Sequence, residues 1–295
     1  MAHILLIGKN GQLGWELLRT LSTLGDLTAV DYPKIDLEHP EAVRDLIRQI
    51  HPQVIVNATA YTAVDQAEIE QERAWKINAL APGIMAEEAQ RMNAAFIHYS
   101  TDYVFDGKKG TPYNEDDTPN PLNFYGRSKL EGERLVEEAD GVSLILRTSW
   151  VYSMRQGGYV TKVLQWSRQQ ETLRIVDDQI GSPTWARMLA EVTSQVIAQG
   201  SCEPVEYIKE KAGLYHLAGT GSCSRIEWVK EILRLDPKKE NQLVKELLPA
   251  KSSEFPTTAI RPHFSALTCK NFDTTFGLCL PDWKMVLQMA MERTW

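Results

Sequence analysis

Cysteine is scarce in this sequence, which has only four among its 295 residues. No two of them have the C-x-x-C spacing, and the six histidines are scattered along the chain. Structural metal sites built from cysteine and histidine need such clustered ligands. We therefore expect no metal site, and we expect reduced, mostly packed thiols at Cys202, Cys223, Cys269 and Cys279.

Long apolar runs and basic stretches are absent as well. No hydrophobic segment approaches the roughly 20 residues that span a bilayer, and residues 1–3 lead into an apolar segment without a basic, cleavable leader. The formal charge of −7 is dispersed, so no basic stripe is present that could hold a nucleic-acid backbone. We expect a cytoplasmic protein that binds neither membranes nor nucleic acids and meets an anionic ligand with local donors.

The first half of the chain alternates strand-like and helix-like segments. Residues 4–7 are wholly apolar, which is typical of a strand buried on both faces of a parallel sheet. Gly8, Gly11 and Gly14 follow at once, and residues 15–21 space their apolar side chains as a helix does. This order of strand, glycine loop and helix indicates a site for the pyrophosphate of a dinucleotide. Because the spacing is G-x-x-G-x-x-G instead of G-x-G-x-x-G, a turn that binds nothing stays an alternative.

Two further strand ends complete the predicted cofactor site. Residues 27–30 end at Asp31, where a carboxylate would accept from the adenosine ribose of NAD, whereas Lys9 and Lys34 could meet a 2′-phosphate. NADH and NADPH are therefore both expected cofactors. The small and polar residues 57–61, which follow a third strand, would pass beneath the cofactor. The predicted cofactor-binding residues are Gly8, Asn10, Gly11, Gln12, Leu13, Gly14, Asp31, Asp36, Leu37, Ala58, Thr59, Ala60, Tyr61, Tyr125 and Lys129.

The most informative pair in the chain is Tyr125 and Lys129. In a helix over residues 123–137, a spacing of four places both side chains on one face. A cation beside a phenol lowers its pKa from about 10 toward the range of a general acid. Residues 96–99 form a further predicted strand that delivers Thr101 to the same edge, where its hydroxyl either binds a carbonyl oxygen under reduction or caps a turn. Together, these three side chains indicate carbonyl reduction.

The expected architecture is a doubly wound parallel α/β sheet of the Rossmann type. Residues 1–150 would bind the dinucleotide, and residues 151–295 would form mainly a smaller substrate-binding lobe that interleaves with the first. Residues 106–121, rich in glycine and proline, predict a long loop at the active site. Asn78, in a helical stretch, is either a buried polar strut or an ordinary helix residue.

Several motifs together resemble those of the extended short-chain dehydrogenase/reductase family. They are the three spaced glycines, residues 57–65, residues 100–107, and the pair Tyr125 and Lys129. The similarity covers almost the whole chain, because it continues through residues 146–152, 178–184, 213–217 and 256–262.

The resemblance implies a nucleotide-sugar reductase. It would pass a hydride from NADPH or NADH to the C4 ketone of dTDP-4-dehydro-6-deoxy-L-mannose and so yield dTDP-L-rhamnose. Tyr125 would donate the proton, Lys129 would lower the pKa of Tyr125 and hold the nicotinamide ribose, and Thr101 would hold the carbonyl oxygen. The residues implied to contact the substrate are Thr101, Asp102, Tyr103, Trp150 and Arg261. Arg261 would pair with the diphosphate, although a structural salt bridge explains this residue equally well.

Magnesium and the oligomeric state are less well defined by the sequence. Some members of the family form dimers around a magnesium ion held by acidic side chains. Residues 186–191 of this chain do not align with such an acidic cluster. The sequence therefore gives no support for magnesium, and either a monomer or a homodimer is expected.

Two other functions stay open. One is a catalytically silent, NADP-binding regulatory subunit resembling the β subunit of methionine adenosyltransferase, and the other is a different nucleotide-sugar reductase or an epimerase. A binding module needs no phenol of lowered pKa, so the complete set of Thr101, Tyr125 and Lys129 favours an enzyme. A dehydratase would place an Asp-Glu pair after Thr101, whereas here Asp102 is followed by Tyr103.

Overall fold

The structure is a computed structural model that describes residues 2–155, 157–200 and 203–292. Its strands are β1 (Ala2–Ile7), β2 (Gly25–Val30), β3 (Val54–Asn57), β4 (Ala95–Thr101), β5 (Val142–Thr148), β6 (Val151–Tyr152), β7 (Thr172–Val176), β8 (Ile180–Gly181), β9 (Thr184–Trp185), β10 (Gly213–His216), β11 (Cys223–Ser224) and β12 (Glu246–Ala250). Its α-helices are α1 (Gln12–Leu21), α2 (Pro40–Ile50), α3 (Val64–Ala67), α4 (Gln71–Trp75), α5 (Ala81–Arg91), α6 (Phe124–Glu138), α7 (Tyr159–Ser167), α8 (Ala186–Gln199), α9 (Pro204–Lys209), α10 (Arg225–Leu235), α11 (Lys270–Phe276) and α12 (Trp283–Met291). A π-helix spans Lys76–Leu80, and 3-10 helices span Asp102–Val104, Lys239–Asn241 and Ser252–Glu254.

Six strands form one parallel sheet in the order β2-β1-β3-β4-β5-β10. The predicted parallel α/β fold is thereby confirmed. Because β2 and β3 lie on opposite sides of β1, the strand order reverses there, and ligands of such sheets bind in the crevice at that point. The outer strand β10 comes from the second half of the chain and pairs with β5. The division into two lobes near residue 150 stays a prediction.

The sheet is buried on both faces because its strands alternate two sets of apolar side chains. Ile4 and Leu6 of β1 pack in one cluster with α1 and α8, whereas Leu5 and Ile7 pack with α2 and α5. All four side chains are fully buried, as the unbroken apolar run predicted. This packing fixes the carboxyl ends of the strands, where the candidate site lies.

The second half of the chain packs its own core around three tryptophans. Trp185, Trp228 and Trp283 are buried with apolar side chains of α7, α10 and α12. Helix α10 begins with a capping box, in which Ser224 Oγ accepts the N–H of Glu227 and the Glu227 carboxylate accepts the N–H of Ser224. The cap fixes the position of Arg225, the first residue of this helix.

Two expectations from the sequence concern the state of the cysteines and the absence of a membrane-spanning segment. Cys223, Cys269 and Cys279 are free thiols, the first buried and the last exposed. Cys202 lies outside the described residues. Within the described ranges, every helix is too short or too polar to cross a bilayer.

Candidate active site

Glycines close the loop between β1 and α1. Gly8 has a φ of +96°, and a Cβ there would lie 2.7 Å from Cγ2 of Thr59. A Cβ on Gly14 would lie 1.9 Å from the carbonyl oxygen of Gly8, so only glycine lets α1 approach the loop this closely. Gly11 is exposed at the start of α1 and offers no capping side chain. The N–H groups of this helix end therefore fit the diphosphate of a dinucleotide.

Asp31 and Asn10 lie together beside the glycine loop. Asp31 Oδ2 accepts the backbone N–H of Asn10 at 2.8 Å, and Oδ1 accepts that of Tyr32 at 2.8 Å. The Asp31 carboxylate is half-exposed and can also accept from a ribose hydroxyl. Asp36 accepts a backbone N–H within its own turn, and Leu37 packs against the core. Contacts of these residues with a cofactor stay a prediction.

The second half of the chain also reaches this loop. Gln12 Oε1 accepts from the Ser153 hydroxyl at 3.0 Å, and Arg155 donates to the carbonyl of Asn10 at 2.8 Å. Leu13 is buried beneath the loop. Arg155 could not be found from the sequence, because its contact joins residues 145 positions apart.

The segment after β3 runs along the glycine loop. The Ala58 carbonyl oxygen would lie 3.1 Å from a Cβ on Gly8, and the Thr59 methyl group lies closer still. Ala58, Thr59, Ala60 and Tyr61 are all half-buried. The predicted cofactor segment and the glycine loop are therefore brought together, with part of each left accessible.

Asn78 is the buried polar strut. Its Oδ1 accepts the N–H of Tyr61 at 2.8 Å, and its amide donates to the carbonyl of Tyr61 at 3.2 Å and to the hydroxyl of Ser128 at 3.0 Å. The side chain thus ties the segment after β3 to helix α6.

Helix α6 begins at Phe124, one residue later than predicted, because Asn123 caps it by accepting the N–H of Gly126 at 2.8 Å. A Cβ on Gly126 would lie 2.2 Å from the carbonyl oxygen of Tyr103. Glycine at this position lets α6 pack directly on the segment that follows β4, and this packing brings its first turn to the sheet edge.

Lys129 is buried beneath this first turn, with 1% of its surface exposed. Its Nζ donates to the carbonyl of Tyr99 at 2.6 Å and lies 3.1 Å from Nε2 of His98. Burial lowers the pKa of Lys129 to about 8, and the carboxylate of Glu133 opposes this shift. The amino group is therefore directed at strand β4.

Tyr125 lies beside Thr101 and Tyr103. Its ring meets that of Tyr103 edge to face, with 5.8 Å between the centroids. Burial raises the pKa of the Tyr125 phenol, and a hydrogen bond with Thr101 opposes the rise. This direction differs from the predicted lowering by Lys129, because burial dominates and the lysine is engaged by β4. The phenol is protonated at neutral pH, which is the state that a proton donor requires.

Asp102 is engaged inside the protein. Its carboxylate accepts from the hydroxyls of Thr101 at 3.2 Å, Ser149 at 3.0 Å and Ser265 at 2.5 Å, and 2% of the residue is exposed. Burial raises the pKa of Asp102 from 3.8 to about 6, and these hydrogen bonds limit the rise. The geometry favours a role for Asp102 in orienting the Thr101 hydroxyl. It does not favour the predicted contact of Asp102 with the sugar.

Trp150 forms an aromatic wall beyond β5. Its φ of +42° is uncommon for a residue other than glycine, and its indole packs on Gly181, where a Cβ would come within 2.4 Å of the ring. The Arg225 guanidinium lies 3.4 Å from the Trp150 ring centroid. Arg225 also opposes the rise that burial causes in the pKa of Tyr103. Arg225 could not be found from the sequence, because a single arginine at the start of an amphipathic helix is no signal by itself.

Arg261 forms a bidentate salt bridge with Asp65. Its Nη2 lies 2.6 Å from Oδ2 and its Nη1 lies 3.1 Å from Oδ1. A further hydrogen bond joins Nη1 to the carbonyl of Ala259 at 3.0 Å. Of the two interpretations that the sequence left open for Arg261, the structure favours the salt bridge.

A cleft of about 1110 Å³ opens beside these residues. Its walls come from the second half of the chain and include Tyr159, Arg225 and Arg261. Both arginines act electrostatically on Tyr103, whose ring contacts Tyr125, so Tyr103 connects the cleft to the predicted catalytic residues, which do not themselves line it. Its volume is sufficient for a nucleotide sugar.

The described residues contain no group of three or more histidine, cysteine, aspartate or glutamate side chains arranged as metal ligands. Glu191, the acidic residue of the segment 186–191, accepts a hydrogen bond from Arg187 at 2.7 Å.

Comparison with known proteins places the chain among its relatives. The family described as RmlD substrate binding domain matches residues 1–294. The chain belongs to this family. It is 40% identical to the dTDP-4-dehydrorhamnose reductase of Escherichia coli (strain K12), over 98% of this chain and 97% of the relative. It is 37% identical to the dTDP-4-dehydrorhamnose reductase of Burkholderia thailandensis, over 98% of both chains.

Solved structures of RmlD relatives have the same fold. A dTDP-4-dehydrorhamnose reductase from Clostridium acetobutylicum has a TM-score of 0.89, with 33% identity and 98% of both chains covered. The dTDP-4-dehydrorhamnose reductase of Bacillus anthracis in complex with NADP also has a TM-score of 0.89, with 32% identity and 99% of both chains covered. The resemblance to extended short-chain dehydrogenase/reductases is confirmed.

Proposed function

We propose that this protein reduces the C4 ketone of dTDP-4-dehydro-6-deoxy-L-mannose to dTDP-L-rhamnose with NADPH or NADH. The observation that carries the proposal is the meeting of Tyr125 and Thr101 at the sheet edge beside the glycine loop, in a chain 40% identical to dTDP-4-dehydrorhamnose reductases. The relatives give no support for a silent regulatory subunit.

The glycine loop fits a nicotinamide dinucleotide. Gly8 and Gly14 bring the backbone to a separation that a Cβ would prevent, and the uncapped start of α1 faces solvent at Gly11. In this proposal the diphosphate binds these N–H groups, and Asp31 accepts from the adenosine ribose. When bound, the reduced nicotinamide supplies the hydride.

Tyr125 is the proposed proton donor, and Thr101 is proposed to hold the carbonyl oxygen beside it. The raised pKa keeps the phenol protonated until the oxygen of the ketone develops negative charge. Asp102 orients the Thr101 hydroxyl from the buried side. Lys129, one turn along α6, is proposed to hold the nicotinamide ribose and to stabilise the phenolate.

The cleft of the second half is proposed to hold the nucleotide sugar, with Trp150 and Tyr103 beside the sugar. Arg225 is the better partner for the diphosphate, because the Arg261 guanidinium is already bound by Asp65. This assignment gives residues 151–295 the role of a substrate-binding lobe.

We also propose that the protein acts in the cytoplasm as a monomer or a homodimer. The free thiols of Cys223, Cys269 and Cys279 are compatible with a reducing compartment. Light scattering on the eluting protein, with and without magnesium, measures the oligomeric state and its dependence on the metal.

The direct test mixes the purified protein with NADPH and dTDP-4-dehydro-6-deoxy-L-mannose and follows the absorbance of the reduced nicotinamide. We expect oxidation of NADPH only when the sugar is present, with dTDP-L-rhamnose identified by NMR. The matched control is Tyr125→Phe, which keeps the ring. A wild-type protein that binds NADPH but leaves this sugar unchanged would contradict the proposal.

A further inference from the structure

A buried chain of polar groups runs from the segment after β3 to Lys129. Asn57, the last residue of β3, and His98, in the middle of the neighbouring strand β4, are fully buried and paired in register, and Lys129 is 1% exposed. The backbone N–H of Thr59 donates to Asn57 Oδ1 at 3.0 Å, and Asn57 Nδ2 lies 3.1 Å from His98 Nδ1. His98 Nε2 in turn lies 3.1 Å from Lys129 Nζ.

The donor and acceptor roles in these hydrogen bonds follow from one group whose role is fixed, the backbone N–H of Thr59. A backbone N–H can only donate, so it orients the Asn57 amide with Oδ1 toward Thr59 and the NH₂ group toward His98. Nδ1 of His98 must then accept. Burial lowers the pKa of His98 well below 6.5, so the ring is neutral and carries its one proton on Nε2.

The Nε2–H group of His98 therefore faces the amino group of Lys129. A neutral amine has a lone pair that accepts this hydrogen, whereas an ammonium has none. Nζ retains hydrogens to donate to the carbonyl of Tyr99 at 2.6 Å. An ammonium at Lys129 would leave two donors opposed across 3.1 Å at a buried position, which costs free energy.

We propose that Asn57 and His98 are positioning residues that disfavour the positive charge on Lys129, with His98 held in the Nε2–H form. The link to catalysis rests on the proposed reductase function, but the state of the imidazole does not.

The other groups around Lys129 do not cancel this effect. Glu133, on the next turn of α6, favours the charged lysine. Its carboxylate is bound at 2.9 Å and 2.6 Å by Arg147 of β5 and also accepts from the Ser100 hydroxyl of β4. The negative charge of Glu133 is thus largely balanced by Arg147. Tyr125, on the preceding turn, is protonated and neutral at pH 7.

The first experiment measures the tautomer by NMR on the cofactor-free protein with ¹⁵N-labelled histidine. The chain has six histidines, so the variant His98→Gln identifies the His98 signals by their loss. We expect a protonated Nε2 and an unprotonated Nδ1 throughout pH 6 to 8. A protonated Nδ1, or a ring that titrates near pH 6.5, would overturn the proposal whether or not the protein reduces a sugar.

The second experiment compares the pH dependence of kcat/KM. If the charged Lys129 supports reduction, wild-type kcat/KM falls as pH rises through about 8. His98→Gln offers Lys129 a carbonyl acceptor without adding charge, so this fall should move to higher pH, and the ratio of variant to wild-type kcat/KM should rise between pH 7 and pH 9. A purely structural role would lower kcat/KM equally at all pH values, and that result would refute the proposal.

Asn57→Asp provides a second variant of nearly unchanged shape. Its carboxylate oxygen would accept where the amide donated, so the His98 proton should move to Nδ1 and leave Nε2 free to accept from an ammonium. NMR of the labelled histidines reads this inversion directly, even if the variant is inactive. An unchanged Nε2–H tautomer in Asn57→Asp would show that Asn57 does not control the ring.

Discussion

The candidate site has an inner end, at the carboxyl edge of the sheet, and an outer end, at the cleft. The surroundings of the polar groups differ between these two ends. At the inner end, Asp102 and Lys129 are buried, and each is hydrogen-bonded within the protein. At the outer end, the guanidinium of Arg225 is stacked on the Trp150 ring and lines the cleft. A group that is already bound inside the protein orients its neighbours, whereas a group that faces a cleft is available to a ligand.

The two arginines of the cleft show the same contrast. Arg261 has a carboxylate partner, Asp65, whose pKa is held low chiefly by that hydrogen-bonded pair. Arg225 is instead packed against the rings of Trp150, Tyr159 and Trp228. Stacked guanidinium groups keep their N–H edges free to bind phosphate. The comparison predicts which variants reduce turnover and which reduce stability.

The largest effect is expected at the inner end, from Tyr125→Phe. The variant removes the proposed proton donor but keeps the ring that packs against Tyr103. General acid catalysis typically contributes about 100- to 10,000-fold, so kcat should fall by a factor in that range. The affinity for NADPH, measured by titration of its fluorescence, should change little. Turnover retained within about twofold would exclude Tyr125 as the acid.

Asp102, also at the inner end, makes the stability of the folded protein depend on pH. Its folded pKa of about 6 exceeds the usual 3.8, so the folded protein binds more protons than the unfolded chain between these values. The contribution of Asp102 to stability is therefore present below pH 3.8 and is lost as pH rises through 6. Two pKa units correspond to about 3 kcal/mol. Asp102→Asn, which does not titrate, should gain about 2 to 3 kcal/mol of unfolding free energy relative to wild type between pH 4 and pH 8.

Urea unfolding of both proteins at the two pH values measures this difference. Groups other than Asp102 titrate in both proteins, so their contributions cancel in the comparison. A difference between the two proteins that does not change with pH would show that Asp102 is ionised in the folded protein as easily as in the unfolded chain.

Much of the inner end could be predicted from the sequence because its signals are local. The apolar run, the three glycines and the four-residue spacing of Tyr125 and Lys129 are each set by neighbouring residues. The direction of the Tyr125 pKa was predicted wrongly, since burial depends on the packing of the whole site.

The outer end could be predicted less well because its contacts are distant in sequence. Asp65 and Arg261 are 196 positions apart, and no spacing rule connects them. His98 gave a weak signal, as a polar residue directly after the apolar residues 95–97 of a buried strand, but its partners Asn57 and Lys129 come from other elements.

A smaller effect is expected from the two arginines. Hydrogen bonds between charged groups contribute about 1.5 to 3 kcal/mol, so Arg225→Ala should lower kcat/KM by about tenfold or more through KM. Arg261→Ala should chiefly lower the unfolding temperature, because it leaves Asp65 without its partner. The matched control is Arg225→Lys, which keeps the charge and should therefore show a smaller rise in KM than Arg225→Ala. The opposite pattern, with KM raised only in Arg261→Ala, would assign the diphosphate to Arg261.

The smallest effect is expected at Asp31, which both orients neighbouring backbone groups and is accessible to a ligand. Its carboxylate holds the N–H groups of Asn10 and Tyr32, yet it is half-exposed beside the glycine loop. Asp31→Ala should therefore weaken both cofactors through the loop, and it should weaken NADH further by removing an acceptor for the ribose. One hydrogen bond contributes about 1 kcal/mol, so the Kd for NADH should rise about fivefold more than that for NADPH, whose 2′-phosphate is also freed from repulsion.

Fluorescence titrations with both cofactors measure the ratio of the two Kd increases. Asp31→Asn, which keeps one acceptor oxygen for the loop, should show a smaller loss of affinity that is the same for both cofactors. Equal losses in Asp31→Ala would mean that Asp31 supports the loop without contacting the ribose, and would place it with the groups of the inner end.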